Sequence, residues 1–276
     1  MSNDLGGVRF LIINGFDRSG TSMIAKVLAK HPQIEAIFQP FNATILRTTQ
    51  WDYWEPNHMC YGVEKFMGHM LNGYIDKNFI ASDWFKKHST TQKIVPGKLH
   101  VIKTTNLHFK IDWFLNKFPQ VEIFSIERSF FATVCSLMRN NFYQEWYGED
   151  AYQAICEYVK KDDKISANLR ACVYDAKDDL EKMGVIIAVR TSVMRRSTKK
   201  TIYYERIMEN PNSSFNEVTG YFGLDSFDFE PYMQEDYNII GKNFELVDLW
   251  KTYFNKYEIS KLERIFSNME SPILVK

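Results

Sequence analysis

Residues 15–22 read Gly-Phe-Asp-Arg-Ser-Gly-Thr-Ser, and their flanks constrain the fold more than any other stretch of the chain. Before them runs residues 10–14 (FLIIN), short and continuously apolar, the pattern of a strand buried on both faces. After them, residues 22–30 (SMIAKVLAK) repeat apolar side chains at helical spacing until His31-Pro32 stops the run. A strand, a tight glycine-bearing turn and a helix, in that order, commit this part of the chain to an α/β layer structure.

The rest of the chain repeats the alternation. Residues 35–38, 99–104 (LHVIKT) and 121–126 (VEIFSI) read as further buried strands, and residues 201–204 as a late one. Residues 130–140, 212–222 and 259–268 read as helices, and 150–198 as mostly helical. Periodicity leaves 185–189 ambiguous between helix and strand. Residues 43–98, rich in aromatics, asparagine and lysine, predict helices and a long loop over a pocket. The expected fold is α/β: a three-layer, P-loop-like fold with a central parallel sheet flanked by helices. Ligands in such sheets bind beyond the carboxyl ends of the strands, where the first turn lies. No repeat, low-complexity tract or linker interrupts the chain, so residues 1–276 are expected to form one domain.

With 276 residues, 45% of them apolar, the chain can bury a large core. A formal net charge of zero argues against a nucleic-acid binder that works through overall positive charge. The four cysteines (Cys60, Cys135, Cys156, Cys172) lack metal-site spacing and are expected as buried thiols in a reducing compartment. No signal-peptide pattern and no membrane-length apolar run is found, which predicts a soluble, cytoplasmic protein.

The turn carries the chemistry. Two glycines five apart, closed by Ser22, make the frame of a loop whose backbone N–H groups and following helix N-terminus cradle a phosphate. Ser19, Gly20, Thr21 and Ser22 are the candidate contacts. Thr21 stands where a nucleotide-hydrolysing loop needs the lysine that reaches the terminal phosphates, and Arg18 supplies positive charge instead. No strand-end aspartate offers itself for magnesium; residues 121–126 run into Glu127-Arg128. The chain therefore suits phosphate binding without a metal better than magnesium-dependent γ-phosphoryl transfer.

The stretch GFDRSGTSMIAKVLAKHP resembles the first strand, loop and helix of the sulfotransferases that use 3′-phosphoadenosine-5′-phosphosulfate (PAPS), with residues 18–22 matching their 5′-phosphosulfate loop. Arg128 and Ser136, eight apart in ERSFFATVCSLMRN, are similar to the pair that binds the 3′-phosphate in that family. An arginine fork with a helix hydroxyl beyond it suits that task. The run YYERIMENP from Tyr203, followed by Phe222-Gly223-Leu224, looks like a third family segment and would place Tyr204 near the adenine. Gly241-Lys242-Asn243, followed by Trp250-Lys251, is similar to the C-terminal pattern that closes over the nucleotide, making Lys242 and Asn243 further phosphate contacts.

The resemblance implies transfer of a sulfuryl group from PAPS to a hydroxyl or amine, leaving 3′,5′-ADP (PAP), with no metal. Donors must meet the charge that grows on the departing phosphate. The loop amides, Arg18 and Lys103 are the candidates, Lys103 standing where the family often keeps a catalytic lysine. The general base departs from the pattern. Many members carry histidine where this chain has Thr105, and others glutamate where it has Gln39. His108 is the nearest substitute, with His58, Asp52 and Glu55 behind it. Residues 49–61 (TQWDYWEPNHMCY) combine aromatics with acids, a surface for a compact, partly cationic acceptor. The expected partner is a small-molecule acceptor, such as an alkaloid-type natural product, with neither nucleic acid nor membrane involved and a homodimer left open. Three rivals stand beside this reading: a magnesium-dependent kinase or other nucleotide hydrolase, a sulfotransferase acting on a soluble glycan, and an inactive PAP(S)-binding module.

Overall fold

A computed structural model describes residues 9–41, 51–75, 80, 83–91, 93–234 and 248–269. Five parallel strands form its sheet: β1 Arg9–Gly15, β2 Ile34–Phe38, β3 Leu99–Thr104, β4 Val121–Glu127 and β5 Lys200–Tyr203. Their spatial order is β2-β3-β1-β4-β5, so β1 is central, with Ile13 beside Lys103 of β3 and Phe124 of β4. The order reverses direction around β1, and the crevice at its carboxyl end is where the phosphate turn sits.

Helices cover both faces of the sheet. The alternation of β1 divides its side chains. Leu11 and Ile13 pack on α1 (Thr21–Leu28) and on Phe215 and Val218 of a later helix, Pro211–Tyr221. Phe10 and Ile12 face Phe66, Met67, Trp113 and Phe114. A third core joins the helices Phe130–Arg139, Gly148–Lys161, Ala167–Asp175, Asp179–Ser197 and Lys256–Phe266 through Val134, Ile155, Met183, Leu262 and Ile265. We label the longest of these, Asp179–Ser197, α2; it begins where the Asp178 carboxylate accepts from Glu181 N–H, and it is buried on almost every side from Met183 to Met194.

The structure resolves the ambiguity at residues 185–189, which lie in the middle of α2. A helix buried all round loses the polar stripe from which its period is read. The late strand lies one residue earlier than the sequence suggests: it ends at Tyr203, and Tyr204 opens the helix Tyr204–Glu209. Residues 43–98 hold the two helices Tyr61–Leu71 and Asp83–His88 among their described parts. All four cysteines are buried free thiols. Among the described residues, no helix is long and apolar enough to cross a membrane.

Candidate functional site

The turn after β1 is built by close approach. A Cβ on Gly15 would lie 2.6 Å from Ser19 Oγ, 2.7 Å from Thr21 Cγ2 and 2.8 Å from Ile126 Cβ, so only glycine lets the loop fold back on the strand. Ser19 reinforces that fold: its hydroxyl donates to the Phe16 carbonyl at 2.6 Å, and its N–H donates to the same oxygen at 3.1 Å. Gly20 has φ 85° and caps α1. A Cβ there would meet the ring of Tyr204 at 2.4 Å. The first bond along α1 runs from Ile24 N–H to the Gly20 carbonyl, and no side chain caps the turn. The amides of Thr21 and Ser22 therefore face outward with the positive end of the helix behind them, an arrangement suited to an anion.

Three elements bring positive charge to this turn. Arg18 itself has φ 67°, strained for a residue with a side chain, and donates from Nε to Ser136 Oγ at 3.0 Å. Arg128, just past β4, donates from Nη1 to the Arg18 carbonyl at 3.0 Å and lies 5.1 Å from the ring centroid of Tyr204. Arg128 Nε is buried and, among the described residues, has no hydrogen-bond partner, which makes it a donor well fitted to a phosphate oxygen. The Glu205 carboxylate accepts from Ser129 N–H at 2.8 Å and so fixes the start of the helix that carries Ser136. Arg18, Arg128, Ser136 and Tyr204, far apart in sequence, thus meet over Gly20. Glu127, at the end of β4, is committed elsewhere: Arg195 grips its carboxylate through bonds of 2.9–3.1 Å. Among the described residues, no group of three histidine, cysteine or acidic side chains is arranged to hold a metal.

Lys103 reaches the site from β3. It is 3% exposed, and burial pushes its ammonium down to about 8 against the opposing pull of the Asp17 charge. The two positions where a base is expected are joined to each other. Gln39, at φ 45°, donates from Nε2 to Thr105 Oγ1 at 3.0 Å and accepts from Thr105 N–H at 3.3 Å. An amide and a hydroxyl bound in this way hold two loops together and have no basic group to offer. His108 is fully buried, with Nδ1 2.6 Å from Arg190 Nη2, which also donates to the Thr105 carbonyl at 2.8 Å. Burial, then the Arg190 and Lys110 charges, hold the His108 imidazole well below its usual range. His108 is thus buried against Arg190. Lys242 and Asn243 lie outside the described residues.

Three side chains that the sequence reading left without a role complete the site. Tyr147 donates its hydroxyl to Asp17 Oδ2 at 2.5 Å, and its ring stacks on Phe16 at 5.8 Å. The guanidinium of Arg190, from α2, lies 4.2 Å from the Phe16 ring centroid and 5.0 Å from that of Trp51. Trp51 in turn meets Tyr147 edge-on at 5.4 Å. Beyond Trp51 opens a groove of about 960 Å³, lined by Asp52, Tyr53, Glu55, Glu157 and Tyr158 among others. Trp51 thus lines the groove and packs on Tyr147, the hydrogen-bond partner of Asp17 in the phosphate turn. Asp17 was visible in the sequence as the charge preceding Arg18; Tyr147 and Arg190 carried no local signal.

A model of a sulfotransferase family matches residues 11–228. The chain belongs to that family. The match spans every strand of the sheet, the phosphate turn, and the Arg128, Ser136 and Tyr204 positions. A sulfotransferase domain from the curacin biosynthetic pathway superposes with a TM-score of 0.51 at 15% identity, covering 94% of this chain and 96% of that one. This likeness supports the sulfotransferase fold. A mouse sulfotransferase complexed with PAP is similar at a TM-score of 0.49 and 12% identity, over 95% of this chain and 84% of that one. A sulfotransferase from Alicyclobacillus acidocaldarius is similar at 0.40 and 13%, over 94% of each. Among curated proteins, none matches the sequence.

Proposed function

We propose that this sulfotransferase takes the sulfuryl group of PAPS and transfers it to a hydroxyl or amine of a small molecule. One observation carries the donor assignment: Arg18, Arg128 and Ser136 converge on a helix N-terminus whose outward amides have no side-chain cap. Two anionic groups suit that arrangement. The turn amides and Arg18 take the 5′-phosphosulfate, and Arg128 with Ser136 takes the 3′-phosphate. Tyr204, packed on Gly20 beneath Arg128, supplies an aromatic surface beside them.

In the transfer, acceptor and leaving phosphate lie roughly in line with sulfur. Charge grows on the bridging oxygen as its bond to sulfur breaks. Lys103, Arg18 and the turn amides are the donors placed to offset it. The value of about 8 that burial gives Lys103 leaves it mostly protonated near neutrality. It is able to stabilise an oxyanion or to give it a proton.

For the acceptor, we propose a compact molecule with a cationic part, of the alkaloid type. The groove offers Trp51, Tyr53 and Tyr158 as aromatic surface, with Asp52, Glu55 and Glu157 as its acids. The test is incubation with PAPS and a panel of hydroxylated and amine-bearing acceptors, read by mass spectrometry for the added sulfo group. Transfer favouring cationic acceptors supports the reading. Transfer confined to neutral or anionic acceptors overturns the cationic assignment. The pairing of Gln39 with Thr105 favours one second reading, a module that binds PAP(S) without transferring it; retained PAP affinity with no transfer to any acceptor is its signature.

A further inference from the structure

Asp17 is an odd residue for a phosphate turn, because a carboxylate beside an anion site opposes binding. The structure nonetheless builds a cluster around it. Tyr147 donates to Oδ2 at 2.5 Å, and Tyr147 is itself 5% exposed. Burial and the Asp17 charge push the Tyr147 phenol well above its usual range, so it remains a donor. The charged groups that face Asp17 are Lys103 from β3 and Arg190 from α2, with His108 behind Arg190 and Arg18 next along the turn. Asp17 is half-buried, not sealed. A carboxylate has about four lone-pair positions, and among the described residues Tyr147 occupies one of them.

The place of this carboxylate is as telling as its partners. It directly precedes Arg18, at the phosphosulfate end of the turn. Through Tyr147 it adjoins Trp51, the wall of the groove. It is joined through Tyr147 and Trp51 to the groove proposed for the acceptor, while Gln39 and Thr105 are bound to each other and His108 is sealed against Arg190.

We infer that Asp17 is the general base of the transfer and that Tyr147 positions its carboxylate, an inference that rests on the donor reading above. As the acceptor oxygen attacks sulfur, its proton passes to Asp17 Oδ1. The acceptor O–S bond forms, the bond between sulfur and the bridging oxygen breaks, and that electron pair stays on the 5′-phosphate of 3′,5′-ADP. The proton then leaves Asp17 for solvent.

Asp17→Asn keeps the shape and still accepts from Tyr147, but it cannot take a proton. Three measurements need no knowledge of the natural acceptor: calorimetric binding of 3′,5′-ADP, hydrolysis of PAPS with water as acceptor, and reverse transfer from p-nitrophenyl sulfate to 3′,5′-ADP. The last releases p-nitrophenolate, an anion that needs no proton from the protein. The expected result is 3′,5′-ADP affinity within about threefold of wild type, hydrolysis lower by about 10²–10⁴-fold, and reverse transfer lower by less than about tenfold. Unchanged hydrolysis, or an equal fall in both transfers, overturns the assignment. Wild-type protein that binds 3′,5′-ADP but transfers in neither assay overturns the base alone. Wild-type protein that does not bind 3′,5′-ADP overturns the donor reading, and the base with it.

Discussion

Replacing Arg128 by alanine asks whether this residue reads the 3′-phosphate or merely braces the turn. It makes two kinds of contact: a bond to the Arg18 carbonyl at 3.0 Å, and a buried, unpartnered Nε offered to an anion. The first supports the loop and so affects any ligand of the turn. A hydrogen bond to a neutral group contributes about 0.5–1.5 kcal/mol. On the proposed donor site the second would belong to the 3′-phosphate alone, and a charge-assisted contact contributes about 1.5–3 kcal/mol. At about 1.4 kcal/mol per decade, that is about 10- to 150-fold in affinity. Comparing 3′,5′-ADP with 5′-AMP separates the two, because 5′-AMP lacks the 3′-phosphate. Arg128→Ala should therefore weaken 3′,5′-ADP by about 10- to 150-fold more than it weakens 5′-AMP, measured by calorimetric titration of both ligands. Melting of the free variant shows whether the turn itself survives. An equal fall for both nucleotides would mean that Arg128 only braces the loop and does not read the 3′-phosphate.

Three further outcomes follow from the geometry. Gly20→Ala forces a side chain into φ 85° and into the Tyr204 ring 2.4 Å away, so urea denaturation should show a loss of at least about 1–2 kcal/mol; unchanged stability would mean that the loop is not held as described. Lys103 titrates at about 8 when folded against 10.5 for a free lysine, so between those values the unfolded chain binds the extra proton and stability rises with pH. Lys103→Met should remove that rise between about pH 8 and 10.5 in melting curves, and a wild-type-like slope in the variant would contradict the burial argument. Tyr147→Phe should lower PAPS hydrolysis by about tenfold while leaving 3′,5′-ADP affinity in place, and a matching loss of affinity would make Tyr147 a support of the donor loop instead.

The first strand, turn and helix were legible because each carries a local rule: a continuous apolar run, glycines where no side chain fits, and a helical stripe. Arg128 and Ser136 were legible as a pair through the family resemblance, and the structure brings both to Arg18. What the sequence could not show is contact made across the fold. Tyr147 lies 130 residues from Asp17, and Arg190 lies 82 from His108. Arg190 sits inside VIIAVRTS, a stretch whose apolar surroundings suggest only core. That Gln39 and Thr105 offer no base was plain from their residue types; their mutual bonding, 66 residues apart, was not.

Calorimetric titration of the purified protein with 3′,5′-ADP, set beside ATP with magnesium, asks whether the turn holds a PAPS-type donor. Micromolar binding of 3′,5′-ADP and much weaker binding of ATP are expected, because the proposed donor site sets Arg18 beside Arg128 and Ser136 and Glu127 is held by Arg195. Preference for ATP with magnesium, or no binding of 3′,5′-ADP, would contradict it.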